Sequence, residues 1–302
     1  MSGEADMRAL VATTAGAGHF GPLVPFANAL RQAGHEVAVA APASFAGTVA
    51  RAGFDLRPFD DVPPGEVGRV FATLPTLPPG EANKVVVGEV FGRLDTRAAL
   101  PGMEATVAGW RPDVVLRESC EFASYLVAEA AGIPHVHVAV GLARFGRQML
   151  PVVEAPLTEL GAAPGLGGML AAPTFTLTPQ SFEDPEYAGG AGLRRFRDGG
   201  PGPAPARPLP DWWPGSTDPL VYVTFGSVAA TLGLFPGLYR DVATVLGDLA
   251  VRALLTVGDA GDPDALGELP PNVQVERWWP QAEVMPHVAA MVGHGGYGTT
   301  LA

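Results

Sequence analysis

From its amino terminus the chain alternates short, unbroken apolar runs with segments whose apolar residues recur at helical spacing. Over residues 8–140 this is the βαβ pattern of a parallel sheet, whose strands are buried on both faces. Arg8 to Thr14 predicts the first strand, Pro22 to Ala33 a helix closed by Gly34, and His35 to Ala41 the second strand. A helix from Ser44 to Ala52 and a short strand near Leu56 follow. After a gap come a helical stretch from Asn83 to Ala108, a strand from Asp113 to Arg117, a helix from Cys120 to Ala131 and a strand from His135 to Val140. The gap, residues 60–82, holds Pro63-Pro64, Pro75 and Pro78-Pro79 with little periodicity. It predicts a loop at the carboxyl ends of the strands, where open α/β sheets bind ligands. Residues 143–172 are rich in Gly, Ala and Pro with weak amphipathic pattern, which predicts mobile helices.

Residues 199–219 shift to Pro and Gly and predict a linker stiffened by proline, with Trp212 and Trp213 packing it down. A second strand-led unit then opens with Leu220 to Ser227, followed by a helix from Leu234 to Leu249 and strands from Arg252 to Val257 and Val273 to Glu276. The chain closes on an apolar strand, Ala289 to Val292, that runs into His294-Gly295-Gly296-Tyr297-Gly298-Thr299-Thr300 and the start of a helix. The expected organisation is a first Rossmann-like domain over residues 1–198, the linker over 199–219, and a second over 220–302, facing each other across a cleft.

Composition narrows the function. Of 302 residues, 47% are hydrophobic and 17% charged, as in a globular protein of two domains. The net charge of -12, with 19 basic against 31 acidic residues, argues against a nucleic-acid partner. The single cysteine, Cys120, excludes an internal disulfide and fits a reducing cytoplasm. The amino terminus lacks a basic segment before its apolar run, so no signal peptide is expected. The most apolar stretch, Phe122 to Ala143, is interrupted by Glu129, Pro134, His135 and His137, so no membrane span is expected either.

Two glycine-rich turns carry candidate chemistry. The one at His294 to Thr300 would let a backbone approach an anion, with N–H groups at a helix start to receive it and side-chain donors from His294 and Thr299. Taken alone it reads first as a strand-to-helix turn that merely needs glycine. A short helix upstream, Trp278-Trp279-Pro280-Gln281 offers a flat ring for a nucleobase. The other turn, Gly16-Ala17-Gly18-His19-Phe20-Gly21, is literally G-x-G-x-x-G between a strand and a helix. A dinucleotide site also asks for an acid about 20 residues on, and the second strand ends instead in Ala40-Ala41-Pro42-Ala43-Ser44.

Together these motifs resemble the family-one glycosyltransferases of GT-B fold. W-x-P-Q at Trp278 to Gln281, then His287, then H-G-G-x-G-T at His294 to Thr299 follow that family's nucleotide-sugar signature in order. Gly18-His19-Phe20-Gly21-Pro22 is its amino-terminal G-H-x-x-P motif with one spacer fewer, and Leu30, Gly34-His35 and Val37 continue it. The resemblance covers almost the whole chain and implies an α/β GT-B enzyme whose second domain is incomplete. It is closest to the actinobacterial type that decorates polyketide and other secondary-metabolite aglycones. It implies a nucleotide-sugar donor as co-substrate, no resident cofactor and no metal. The acceptor is a small hydrophobic aglycone, and a homodimer is left open.

In the family this histidine takes the acceptor's hydroxyl proton, as imidazole is suited to do near neutral pH. An aspartate orients it, and that position falls here on Glu118, longer by one methylene. The alternative for Glu118 is a solvated carboxylate at a strand end. The donor would be held by Trp278, Trp279, Gln281, His294, Gly295, Gly296, Tyr297, Gly298 and Thr299, with Ser227 as a further donor to phosphate. Where relatives often carry a ribose-binding glutamate this chain has Ala302, which favours a dTDP-sugar over a UDP-sugar. His135 and His137 lack further ligands at zinc spacing, and Asp262-Pro263-Asp264 sits in a Gly/Pro segment and reads as a turn. Two other functions stay open: a catalytically silent glycosyltransferase-like binding or activator protein, and an NAD(P)-dependent oxidoreductase resting on the glycine fingerprint alone.

Overall fold

The computed structural model describes residues 6–187, 189–190, 192–198, 208–226, 229–258 and 260–301. Ser227, Ala302 and residues 199–207 of the expected linker lie outside the described residues. The chain divides into two compact units, Met1–Gly199 and Gly200–Ala302.

The first unit is built on a seven-stranded, wholly parallel sheet of order β3-β2-β1-β4-β5-β6-β7. Its strands are β1 (Arg8–Ala12), β2 (Glu36–Pro42), β3 (Asp55–Phe59), β4 (Val114–Glu118), β5 (His135–Val138), β6 (Thr174–Thr176) and β7 (Leu193–Arg195). Successive side chains point to opposite faces, and both faces are covered. Leu10 and Ala12 join one cluster with Met103 and Val127, while Ala9 and Val11 join the other with Leu23 and Val49. The helices responsible are α1 (Ala17–Phe20), α2 (Val24–Gln32) and α3 (Ala46–Arg51) on one face and, on the other, α6 (Thr96–Trp110) and α7 (Ala123–Ala131), while α4 (Pro64–Phe71) and α5 (Pro79–Val85) lie against the residues that precede α6. A π-helical stretch, Val86–Asp95, joins α5 to α6.

One expectation changes here, one gains detail, and two strands are added to those expected. Residues 60–82 are not a plain loop: α4 and α5 occupy much of them, and their prolines are why. Pro64 and Pro79 stand in first helical turns, where a missing N–H breaks nothing, after Pro63 and Pro78 at the caps. Residues 143–172, expected as loosely patterned mobile helices, hold a 17-residue helix α8 (Ala143–Glu159) with Val153 and Leu157 fully packed, then α9 (Gly167–Ala171). Strands β6 and β7, three residues each, are too short to leave a pattern in sequence.

The second unit has a four-stranded parallel sheet of order β10-β9-β8-β11, from β8 (Leu220–Thr224), β9 (Arg252–Thr256), β10 (Val273–Glu276) and β11 (Ala290–Gly293). Helix α10 (Gly237–Gly247) covers one face through Tyr239, Ala243 and Leu246. On the other, Leu220, Tyr222, Leu254 and Val284 pack with Trp212, Trp213 and Trp279, so the described end of the linker is held down by its tryptophans. Short helices α11 (Gln281–Val284) and α12 (Tyr297–Leu301) flank β11. Among the described residues no helix is long and apolar enough to cross a membrane.

Candidate active site

Strand β1 has β2 on one side and β4 on the other, so the chain reverses its direction of travel across the sheet there. This is where an open parallel sheet leaves a crevice at its carboxyl edge. The turn after β1 delivers His19, and the last residue of β4 is Glu118. Gly16 makes the turn with φ 149, and a Cβ added to it would come 3.2 Å from the His19 ring. Glycine is therefore needed both for the backbone angle and for the closeness of the imidazole.

His19 Nδ1 lies 3.0 Å from Glu118 Oε2. The carboxylate is fully buried, which settles it as part of the interior and not a solvated strand end. It accepts three further hydrogen bonds: from the Cys120 N–H at 2.7 Å, and from the Thr14 hydroxyl at 2.9 Å and N–H at 3.3 Å. Burial alone would push its pKa up, yet His19 and the Cys120 and Thr14 donors outweigh burial and hold it below the ordinary value. His19, 25% exposed at its side chain, is pulled down by burial, but Glu118 by charge and hydrogen bond, with Asp95 adding, sets it above the usual imidazole value. The Phe91 ring, from the π-helical stretch, packs against the imidazole at 5.3 Å.

Beside the pair is a pocket of about 180 Å³ lined by Thr14, Cys120 and Phe122, and by the acids Asp60, Asp61, Asp95 and Glu121. Asp95 is raised to about 6, by burial first and by Glu118 next. Glu121 is raised to about 7 by burial, although Ser124 donates to it through both N–H and hydroxyl. Sequence reading missed Thr14 and Asp95, because nothing in local spacing connects them to β4, and Glu121, three residues after β4, because its burial comes from packing and not from any motif.

His19, Glu118 and Cys120 bring one ligand atom each within 4.8 Å of one another. Burial pushes the Cys120 thiol well up, so it stays protonated, and Glu118 is already committed to four donors. A metal would have to displace those bonds. His135 pairs with Glu129 at 3.0 Å, and His137 lies between Ser119 and Thr174, so neither waits for a metal. Asp262 caps a short helical turn by accepting from the Asp264 N–H.

In the second unit, β11 ends in the glycine turn. His294 is exposed, Gly295 has φ 73, and Tyr297, Gly298 and Thr299 open α12. The His294 ring lies against Gly226 in the turn after β8, where a Cβ would come within 2.7 Å of it. A Cβ at Gly293 would stand 3.3 Å from the Thr224 carbonyl and 3.7 Å from the Thr299 methyl. The structure thus brings His294, Gly296 and Thr299 together at the mouth of β8 and β11. The two tryptophans differ: Trp278 is 65% exposed, whereas Trp279 packs edge-on against Trp212 at 4.9 Å. Trp279 therefore supports the turn, and Trp278 keeps a free ring. Gln281 begins α11.

No protein-family model matches the chain. It is 31% identical to the L-demethylnoviosyl transferase of Streptomyces niveus over 98% of this chain and 76% of that protein. Its fold matches the glycosyltransferase SnogD from Streptomyces nogalater with a TM-score of 0.70 at 29% identity, covering 98% of this chain and 78% of that one. It matches the Streptomyces sp. SF2575 glycosyltransferase SsfS6, complexed with thymidine diphosphate, with a TM-score of 0.70 at 26% identity and the same coverage. The chain belongs to the family-one glycosyltransferases of GT-B fold.

Proposed function

We propose that this glycosyltransferase moves a sugar from a thymidine or uridine diphosphate donor to a hydroxyl of a natural-product aglycone, with inversion and without a metal. The His19–Glu118 contact carries the reading. With Nδ1 committed to the carboxylate, Nε2 is the basic atom left for a substrate. It takes the proton from the acceptor hydroxyl, whose oxygen attacks the anomeric carbon as the nucleotide leaves from the opposite face. A single in-line displacement inverts that carbon. Glu118 keeps the tautomer and stabilises the imidazolium that forms.

His294, the Gly296 and Gly298 backbone and Thr299 receive the leaving diphosphate, and Trp278 stacks on the base. The thymidine diphosphate bound to the related SsfS6 supports a dTDP-sugar donor. The metal-free reading is supported by the donors gathered at the His294 turn, which can stabilise the leaving group themselves. A reducing cytoplasm is consistent with the one buried, unpaired cysteine.

The test is turnover of a dTDP-sugar with a phenolic acceptor, in EDTA, with NMR assignment of the product's anomeric configuration. Inverted product from the wild type and at least about a hundredfold loss in His19→Ala are expected. Retained configuration, or full activity in His19→Ala, would overturn the reading.

A further inference from the structure

Behind the catalytic strand is a second pocket, of about 140 Å³, on the other side of Phe122, which lines both. Its charge is opposite to the first. Arg117 and Arg147 line it and no Asp or Glu does. Its lining combines the apolar side chains of Met149, Leu150 and Met169 with the polar Ser119, His137, Thr174 and Tyr187.

Arg117 is the unusual member. It precedes Glu118 on β4, so its side chain leaves the opposite face of the sheet. It is 2% exposed, and its Nε has no hydrogen-bond partner. One Nη reaches only the Glu118 carbonyl at 3.5 Å, and the guanidinium lies 5.6 Å from the centre of the Tyr125 ring. Among the described residues no carboxylate comes within 4.0 Å of it, the separation that defines an ion pair. A buried guanidinium is normally paired, because desolvating the charge without a partner is costly. The carboxylates that act on it through space, Glu121 and Glu118, stay beyond ion-pair distance and are bonded to Ser124 and to His19, Cys120 and Thr14, and the polar groups on the pocket side are occupied with one another. Ser119 accepts from the Val140 N–H and is bonded to His137 Nε2 at 2.9 Å, and His137 Nδ1 meets the Thr174 hydroxyl at 3.3 Å. Burial, then Arg117, holds His137 down to about 3, so it is neutral and supplies neither charge nor counter-charge.

We infer that this pocket selects an acceptor that carries an ionised acidic group on an apolar ring, the acid pairing with Arg117 and the ring lying against Met149, Leu150 and Met169. The inference rests on the glycosyltransferase reading above and names the acceptor class for it. The guanidinium fork matches a carboxylate or acidic enolate, and Arg147 stands on the same lining to add donors. The first pocket, with four acids and no base, repels the same group, so the pair of pockets also orients the acceptor along Phe122.

Calorimetric titration with 6-hydroxy-2-naphthoate and with its methyl ester at pH 8 tests this without turnover. The wild type is expected to bind the acid about tenfold more tightly than the ester. Arg117→Gln should bring the two within about threefold while leaving dTDP affinity unchanged. Arg147→Gln, at an exposed position and so safe for folding, should weaken the acid several-fold and spare the ester. Equal binding of acid and ester by the wild type, binding of neither, or a preference that survives both substitutions would overturn the inference. Failure of the enzyme reading shows elsewhere, as unimpaired turnover by His19→Ala. If Arg117→Gln does not fold, the wild-type pair of ligands and Arg147→Gln still decide the matter.

Discussion

Glu118 Oε2 lies 3.0 Å from Nδ1 of His19, across 99 residues of chain, and takes the Cys120 N–H at 2.7 Å on the same oxygen. The other oxygen accepts from both the hydroxyl and the N–H of Thr14. A glutamate has one more rotatable bond than the family's aspartate. Here backbone donors from two strand ends remove that freedom, so the longer side chain is held as a fixed partner for the imidazole.

Removing the charge while keeping the shape separates orientation from packing. Glu118→Gln is expected to lower kcat by about a hundredfold or more, with dTDP affinity unchanged by calorimetry. Thr14→Val, which removes one donor to Glu118 and keeps the carboxylate, should cost far less, about tenfold or below.

The direction of the His19 shift sets a pH dependence. A general base must be unprotonated, so kcat/KM should fall as pH drops through a value above the usual 6.5. In Glu118→Gln burial remains and the opposing charge is gone, so this acid limb should move to lower pH. For stability the sign is opposite: the His19–Glu118 attraction is fully present below the unfolded histidine's pKa and is lost as pH rises through the folded value. A pH–rate profile of both proteins is the measurement.

Glu121 gives a second, independent pH effect. Its pKa rises from 4.5 to about 7, so the native state holds a proton that the unfolded chain has released. Stability should therefore decline as pH rises from about 4.5 towards 7, by on the order of 3 kcal/mol for this group. Asp95 acts in the same direction between 3.8 and about 6. Glu121→Gln should flatten most of the decline, read as urea midpoints at pH 5 and pH 8.

Adjacent tryptophans should part company on mutation. Trp278→Ala is expected to weaken dTDP binding by about 1–3 kcal/mol and change stability by less than about 0.5 kcal/mol. Trp279→Ala, which removes a ring packed on Trp212, should destabilise by about 3 kcal/mol. Paired calorimetry and denaturant unfolding distinguish the two losses.

What the sequence determined by itself was local or carried by motif. The strands from Arg8 to Val138 and the linker's turn to Leu220 were legible because burial on both sheet faces leaves continuous apolar runs with helical periods between them. The glycine turns and W-x-P-Q pointed to the family, and through it to His19, Glu118 and the His294 turn. The helices in residues 60–82 were hidden because proline marks loops and helix starts alike. Only the tertiary structure decided which strand end meets which. Thr14 meets Glu118 because β4 pairs with β1, and Asp95 arrives on the remote π-helical stretch, beside Cys120 and Glu121 that follow β4 directly; no local period encodes those meetings. The same holds for Arg117, which in sequence is one more charged residue at a strand end. Its burial comes from the Tyr125 ring on the helix that follows and from the lining contributed by α8, because burial is a property of the surfaces that close over a side chain.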